Sequence, residues 1–185
     1  MSNDASRILT QLREDHRNMM LLLEMIETEA NRLYRDEAVD LDLAHDIMIY
    51  MTTYPDAVHH PKEDRLYAEL KAARPDLSQG MSKISAEHRS IAEKGLELRN
   101  SIEQVVVGQA ERPNAVVANA LRYVDALRSH MHWEEHDLFR RVELMIRDGH
   151  DVLDKAVFVQ APDPVFGPRA EQVFARLFDR IKKAR

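Results

Sequence analysis

The chain has 185 residues, of which 44% are hydrophobic and 31% charged, and this composition is typical of globular rather than disordered proteins. The formal net charge is −6, from 26 basic and 32 acidic residues, so nothing indicates a nucleic-acid or membrane partner, either of which would need a basic patch. Cysteine is absent, which excludes disulfides, thiolate metal sites and cysteine nucleophiles.

Glycine is scarce and good helix formers are abundant, which favours helix over sheet. The first residues lack the apolar core of a signal peptide, and no apolar run approaches the roughly 18 residues of a transmembrane helix. The sequence therefore predicts an all-α protein in the cytoplasm.

A first helix is predicted over about residues 5–33. Its apolar residues recur every three or four positions: Ile8, Leu12, Met19, Leu23, Ile26, Ala30 and Leu33. One gap interrupts this stripe, and His16 fills it. His16 should therefore point into the core, where its ring nitrogens need partners. Taken alone, His16 is better explained as a hydrogen-bonded core histidine.

A second helical region is predicted over about residues 41–72. Its inner face carries Ile47, Met48, Met51, Val58, Leu66 and Leu70. His59 and Glu63 fall between the last three of these, one turn apart on one helix face. Pro55 and Pro61 each remove a backbone donor, which predicts either a kinked helix or two shorter ones.

The third and fourth predicted helices, about residues 78–107 and 113–146, repeat the arrangement. His88 fills a gap in the apolar stripe of the third helix. His130 and Glu134 fill a gap in the stripe of the fourth, with the same spacing as the earlier His–Glu pair. The order along the chain is therefore His, His-x-x-x-Glu, His, His-x-x-x-Glu, a twofold repeat that chance does not easily explain.

The tail differs in composition. Residues 160–168 hold three prolines and a glycine and are predicted to form a loop. A short amphipathic helix follows over about residues 169–183, with an apolar face of Val173, Phe174, Leu177 and Ile181. We expect residues 1–150 to form the bundle and residues 151–185 to form a loop and a helix that cover it.

Four helices joined by short turns should pack as an up-down-up-down bundle. At 1.5 Å per residue, His16, His59, His88 and Glu134 lie about 17, 20, 12 and 20 Å above the same end. Six polar groups at one level of an apolar core are costly unless satisfied. A pair of bound cations would satisfy them, because imidazole and carboxylate are usual ligands of iron, manganese and zinc. The alternative is a buried hydrogen-bond network without metal.

With these residues, the chain resembles the hemerythrin-like, or HHE cation-binding, family. The resemblance implies a four-helix bundle that holds two iron ions with an oxo or hydroxo bridge. His16 and His59 would bind one iron, His88 and His130 the other, and Glu63 and Glu134 would bridge them. Oxygen-carrying members have a further histidine where this chain has Ala92. The chain is more similar to the branch with four histidines and two glutamates.

Some polar residues near the motifs lie about one step off the inner stripes. His60 with Asp64, and His132 with His136, are candidates to orient the ligands, to replace them if the register shifts, or to face solvent. Glu135 is expected to face solvent.

Three functions are compatible with the sequence. The first is a di-iron protein that binds or reacts with oxygen, peroxide or nitric oxide in sensing or stress response. The second is a non-enzymatic iron sensor or store, which would use the same ligands, so enzyme activity stays open. The third is a metal-free helical interaction protein. Manganese or zinc could replace iron at such ligands, and a homo-oligomer is compatible with all three.

Overall fold

The computed structural model of the protein describes residues 4–108, 113–148, 162–167 and 171–184. These residues form α-helices with short 3₁₀- and π-helical turns, and they contain no β-strand. The α-helices in chain order are α1 (Asp4–Tyr34), α2 (Leu41–Met51), α3 (His60–Ala73), α4 (Ile84–Val106), α5 (Pro113–Trp133), α6 (Phe139–Arg147) and α7 (Ala175–Ala184).

Four rods make up the bundle: α1, α2 continued by α3, α4, and α5 continued by α6. The first rod packs against α2 and α5, and α4 also packs against α2 and α5. The predicted all-α up-down-up-down bundle with a short C-terminal helix is confirmed. At Gly95 a Cβ would lie only 3.1 Å from the Tyr123 ring, so glycine permits the close approach of α4 to α5.

The second rod is broken rather than continuous, which answers the question that its prolines left open. Helix α2 ends at Met51, and the hydroxyls of Thr52 and Thr53 bond to the carbonyls one turn back. A π-helical turn, Pro55–His59, then leads into α3.

A second π-helical turn, Glu134–Leu138, interrupts the fourth rod, which the sequence predicted as one uniform helix. Both π turns coincide with the His–Glu pairs: His59 ends the first turn and Glu134 begins the second. Such turns re-aim side chains and are frequent at functional sites.

Two apolar clusters fill the bundle. One holds Leu9 and Leu12 of α1 with Leu66, Ile84 and Leu138. The other contains, among others, Met19, Tyr54, Ile91 and Leu127. Along every rod, the predicted histidine and glutamate residues lie at the boundary between the residues of one cluster and those of the other. The fold thus places a polar layer between two apolar clusters.

The C-terminal part contacts the bundle through α2. Tyr50 donates its hydroxyl hydrogen to Asp163 at 2.8 Å, and Asp163 also accepts the backbone N–H of Val165 and Phe166. The apolar residues of the last helical segment that join the larger cluster are Phe174, Leu177 and Ile181.

The predicted apolar face of the last helix is wrong at one position. Val173 is 79% exposed. It lies in a 3₁₀ turn, Gln172–Phe174, that precedes α7, and the tighter winding turns it away from the core. The predicted helix start at residue 169 lies outside the described residues, as do residues 160, 161 and 168 of the predicted loop.

Candidate metal centre

The structure brings all six predicted side chains together in the polar layer. Glu63 and Glu134 are fully buried, and each histidine is at most 5% exposed. Each of the four rods contributes one or two of these side chains. In chain order they are His16 from the first rod, His59 and Glu63 from the second, His88 from the third, and His130 and Glu134 from the fourth.

Glu63 lies between two pairs of histidines. Its Oε1 is 3.4 Å from Nε2 of His16 and 3.2 Å from Nε2 of His59. Its other oxygen, Oε2, is 3.5 Å from Nε2 of His88. The two oxygens of this carboxylate therefore face opposite sides of the layer.

Glu134 repeats this arrangement. Its Oε1 lies 3.2 Å from Nε2 of His130 and 3.8 Å from Nε2 of His88, and its Oε2 lies 3.4 Å from Nε2 of His16. Two sets of donor atoms result, each with its atoms within 4.8 Å of one another. They are His16, His59 and Glu63, and Glu63, His88, His130 and Glu134.

Every one of the four histidines has a carboxylate beside its outward nitrogen, Nδ1. The pairs are His16 with Glu135 at 3.0 Å, His59 with Asp15 at 3.0 Å, His130 with Glu87 at 3.2 Å and His88 with Asp64 at 3.3 Å. An ionised carboxylate only accepts hydrogen bonds, so Nδ1 of His16, His59 and His130 carries the hydrogen of the neutral ring. Nδ1 of His88 lies close to Asp64 without a hydrogen bond. In the three hydrogen-bonded rings the lone pair of Nε2 then points into the layer, the arrangement of metal-binding histidines.

These outer carboxylates were not all foreseen. Glu135 was expected to face solvent, but its side chain is 28% exposed and also accepts from Arg13. Asp64 was paired with His60, whereas the structure places it beside His88. Asp15 and Glu87 were missed, although each directly precedes a histidine that fills a stripe gap.

Two tyrosine hydroxyls contact carboxylates in or next to the layer. Tyr67 donates to Oε1 of Glu134 at 2.8 Å, and both groups are buried. Tyr54 lies 3.4 Å from Asp15, which also accepts from Gln11 at 2.9 Å. The Asp15 carboxylate therefore has three side-chain partners, Gln11, Tyr54 and His59.

Most of the side-chain atoms that face into the layer lack a hydrogen-bond partner within the described part of the chain, as expected of metal ligands. The buried side-chain atoms without a hydrogen-bond partner among the described residues include Nε2 of His16, His88 and His130, both oxygens of Glu63 and Oε2 of Glu134. Buried polar atoms are normally bonded, because an unmade bond costs about 1–3 kcal/mol. Cations between these atoms would satisfy all of them.

The charges in the layer stabilise one another. Burial and the nearby Glu134 raise the pKa of Glu63, but His59 and His16 outweigh them and lower it to about 2. Burial lowers the pKa of His59, yet Glu63 and Asp15 raise it to about 9. Without metal, protons would therefore take the place of cations between these groups.

Three further histidines, His60, His132 and His136, belong to neither donor set. His60 is buried, and its Nδ1 lies 3.1 Å from Asp56. His132 and His136 are exposed and stack on each other with ring centroids 4.0 Å apart. Neither of these two lies in the donor sets.

Two surface grooves reach the edge of the centre. One, of about 560 Å³, is lined by His16 and Glu135 among others. The other, of about 520 Å³, is lined by His130 and Glu87 among others. Each groove therefore ends at a histidine and its outer carboxylate.

A protein-family model for the Hemerythrin HHE cation binding domain matches residues 7–142, which contain all six inward side chains. The chain belongs to this family. The family match and the buried His/Glu cluster together indicate a metal-binding protein. Neither the curated proteins nor the solved structures gave a match.

No transmembrane segment was predicted for this hemerythrin HHE domain. Among the helices that the structure describes, none is both long and apolar enough to cross a membrane.

Proposed function

We propose that the protein binds two iron ions in the polar layer and that the loaded centre binds or reacts with oxygen, peroxide or nitric oxide. One observation carries the proposal: each buried carboxylate directs its two oxygens at different histidine pairs. A single cation would need the donors on one side only, whereas this arrangement suits two.

The proposal assigns two histidines and one oxygen of each glutamate to each ion. One ion would take Nε2 of His16 and His59 with one oxygen from each glutamate. The second ion would take Nε2 of His88 and His130 with the other two oxygens. Nitrogen and oxygen donors without thiolate suit iron, and manganese or zinc would also be accepted.

Coordination counting leaves room for a small ligand. Two imidazoles and two bridging oxygens give each ion about four protein donors, and a solvent-derived bridge would add a fifth. Iron with such donors commonly takes about six ligands, so about one position stays open on each ion. The bound irons would supply these open positions and a change of oxidation state.

The side chains around the proposed ions control which molecules reach them. Leu12 and Leu138 on one side, and Met19 and Met131 on the other, belong to the apolar clusters that enclose the layer. In this proposal these apolar residues keep bulk water and large polar substrates away from the ions. The outer carboxylates hold the imidazoles of His16, His59 and His130 in the tautomer that presents Nε2.

The experiment is to load the protein anaerobically with ferrous iron and to mix it with oxygen, hydrogen peroxide or nitric oxide. Optical absorption should change with at least one ligand. His88→Ala is the matched variant, because it removes one donor, and His45→Ala is the control, because His45 pairs with Glu103 away from the centre. No spectral change in a fully loaded sample would contradict reactivity and leave an iron-holding role.

A further inference from the structure

His60 lies among the ligand histidines without belonging to either donor set. Its ring stacks on that of His88, with centroids 4.2 Å apart and an interplanar angle of 14°. The ring of His130 meets it edge-on at 6.3 Å, and that of His59 lies 5.6 Å away. The side chain is therefore fixed at the side of the layer where His88 and His130 lie.

The two ring nitrogens of His60 have different surroundings. Nδ1 lies 3.1 Å from the Asp56 carboxylate, which accepts its hydrogen. Nε2 is buried and has no hydrogen-bond partner. In the tautomer that Asp56 selects, Nε2 carries a lone pair and no hydrogen.

This nitrogen stands apart from the other unsatisfied atoms of the described chain. Of the rest, Nδ1 of His88 lies 3.3 Å from the Asp64 carboxylate, and the others are inward atoms of the two donor sets that metal ions would satisfy. Two bound ions would still leave Nε2 of His60 as a buried acceptor beside the centre. A buried acceptor of this kind normally has a donor.

We propose that Nε2 of His60 accepts a hydrogen bond from a small proton-bearing ligand held at the His88 and His130 side of the centre. This inference rests on the proposed function. The ligand class is one with an O–H group, such as hydrogen peroxide or water. Azide has no hydrogen to donate, so His60 gives it no such bond.

The test compares the affinities of iron-loaded protein for hydrogen peroxide and for azide. His60→Phe keeps a ring to stack on His88 and removes both nitrogens. We expect it to bind peroxide about tenfold more weakly, which corresponds to one buried hydrogen bond. Azide affinity, from an absorption titration, should change by less than about threefold, and iron content should stay at the wild-type level.

Two further variants make the result interpretable. His60→Gln offers an amide oxygen as an acceptor and should recover part of the peroxide affinity. His45→Phe makes the same exchange at a remote histidine and should change neither affinity. His60→Gln also serves if His60→Phe fails to fold.

Equal effects on the two ligands, or no effect on either, would overturn this inference. Loss of about half the iron would overturn it too, because His60 would then be a metal ligand. If wild-type protein holds no iron or responds to neither ligand, the proposed function itself fails. Failure of the His60 comparison in a responsive wild-type protein refutes only the hydrogen bond.

Discussion

Oδ2 of Asp15 lies 3.0 Å from Nδ1 of His59, and neither side chain is more than 1% exposed. The same carboxylate accepts from Gln11 and Tyr54. Asp15 is thus a fixed acceptor that orients a histidine of the centre from a neighbouring helix. Outer groups of this kind commonly affect metal affinity as strongly as some ligands do.

Asp15→Asn should therefore weaken metal binding by about 10–100-fold, because the amide has no charge and only one acceptor oxygen, whereas Gln11 and His59 use different oxygens of Asp15. A competition titration with a chelator measures the affinity. Asp125→Asn, an exposed residue on α5, is the control and should have no effect. Unchanged affinity in Asp15→Asn would show that the 3.0 Å contact does not support the site.

Tyr67→Phe should keep both metal ions but weaken their binding. The hydroxyl donates to Oε1 of Glu134 at 2.8 Å, and hydrogen bonds to charged groups contribute about 1.5–3 kcal/mol. We expect a shifted absorption spectrum of the oxidised, iron-loaded protein. Tyr123→Phe, at a buried tyrosine near Gly95, is the matched control. A Tyr67→Phe spectrum identical to that of the wild-type protein would contradict a role for the Tyr67 hydroxyl at the centre.

The stability of the metal-free protein should depend on pH with a definite sign. The pKa of His59 rises from 6.5 to about 9 on folding, so its contribution is complete below pH 6.5 and lost as pH rises to 9. The pKa of Glu63 falls from 4.5 to about 2, so its contribution is lost as pH falls through that range.

Urea unfolding without metal should therefore give a lower free energy of unfolding at pH 9 than at pH 6. Metal displaces these protons, so the stabilisation that added iron provides should grow over the same range. A metal-free protein that is equally stable at both pH values would show that His59 is not protonated between its carboxylates.

The contact of Tyr50 with Asp163 should anchor the C-terminal part. Asp163→Ala removes the acceptor of the Tyr50 hydroxyl and of two backbone N–H groups, and should cost about 2 kcal/mol. Tyr50→Phe should cost about 1 kcal/mol, and the double variant should cost less than the sum. Asp179→Ala, on the exposed side of α7, is the control. Strict additivity in thermal or urea unfolding would mean that the two groups do not interact.

Much of the bundle was predictable because its signal is local. His16 and His88 each fill a missing step in an apolar stripe, and helical periodicity then fixes the direction of the side chain. The same logic places Glu63 and Glu134 one turn beyond their histidines. Similar distances from the helix ends bring all of them to one level.

The outer carboxylates were not predictable in this way. Asp15 meets His59, and Glu87 meets His130, across different helices. Such pairs depend on how each helix rotates about its axis, and a deviation of one residue exchanges the partners, as it did for Asp64. The π turn at Glu134–Leu138 contains no proline and changes that rotation without any local signal.

Iron content tests the central claim most directly. Purified protein, reconstituted with ferrous iron and freed of excess metal, should hold about two irons per chain by elemental analysis, and Glu63→Ala should lose both because it removes a shared donor. One iron per chain in the wild-type protein, or two in Glu63→Ala, would contradict a centre in which Glu63 joins two ions.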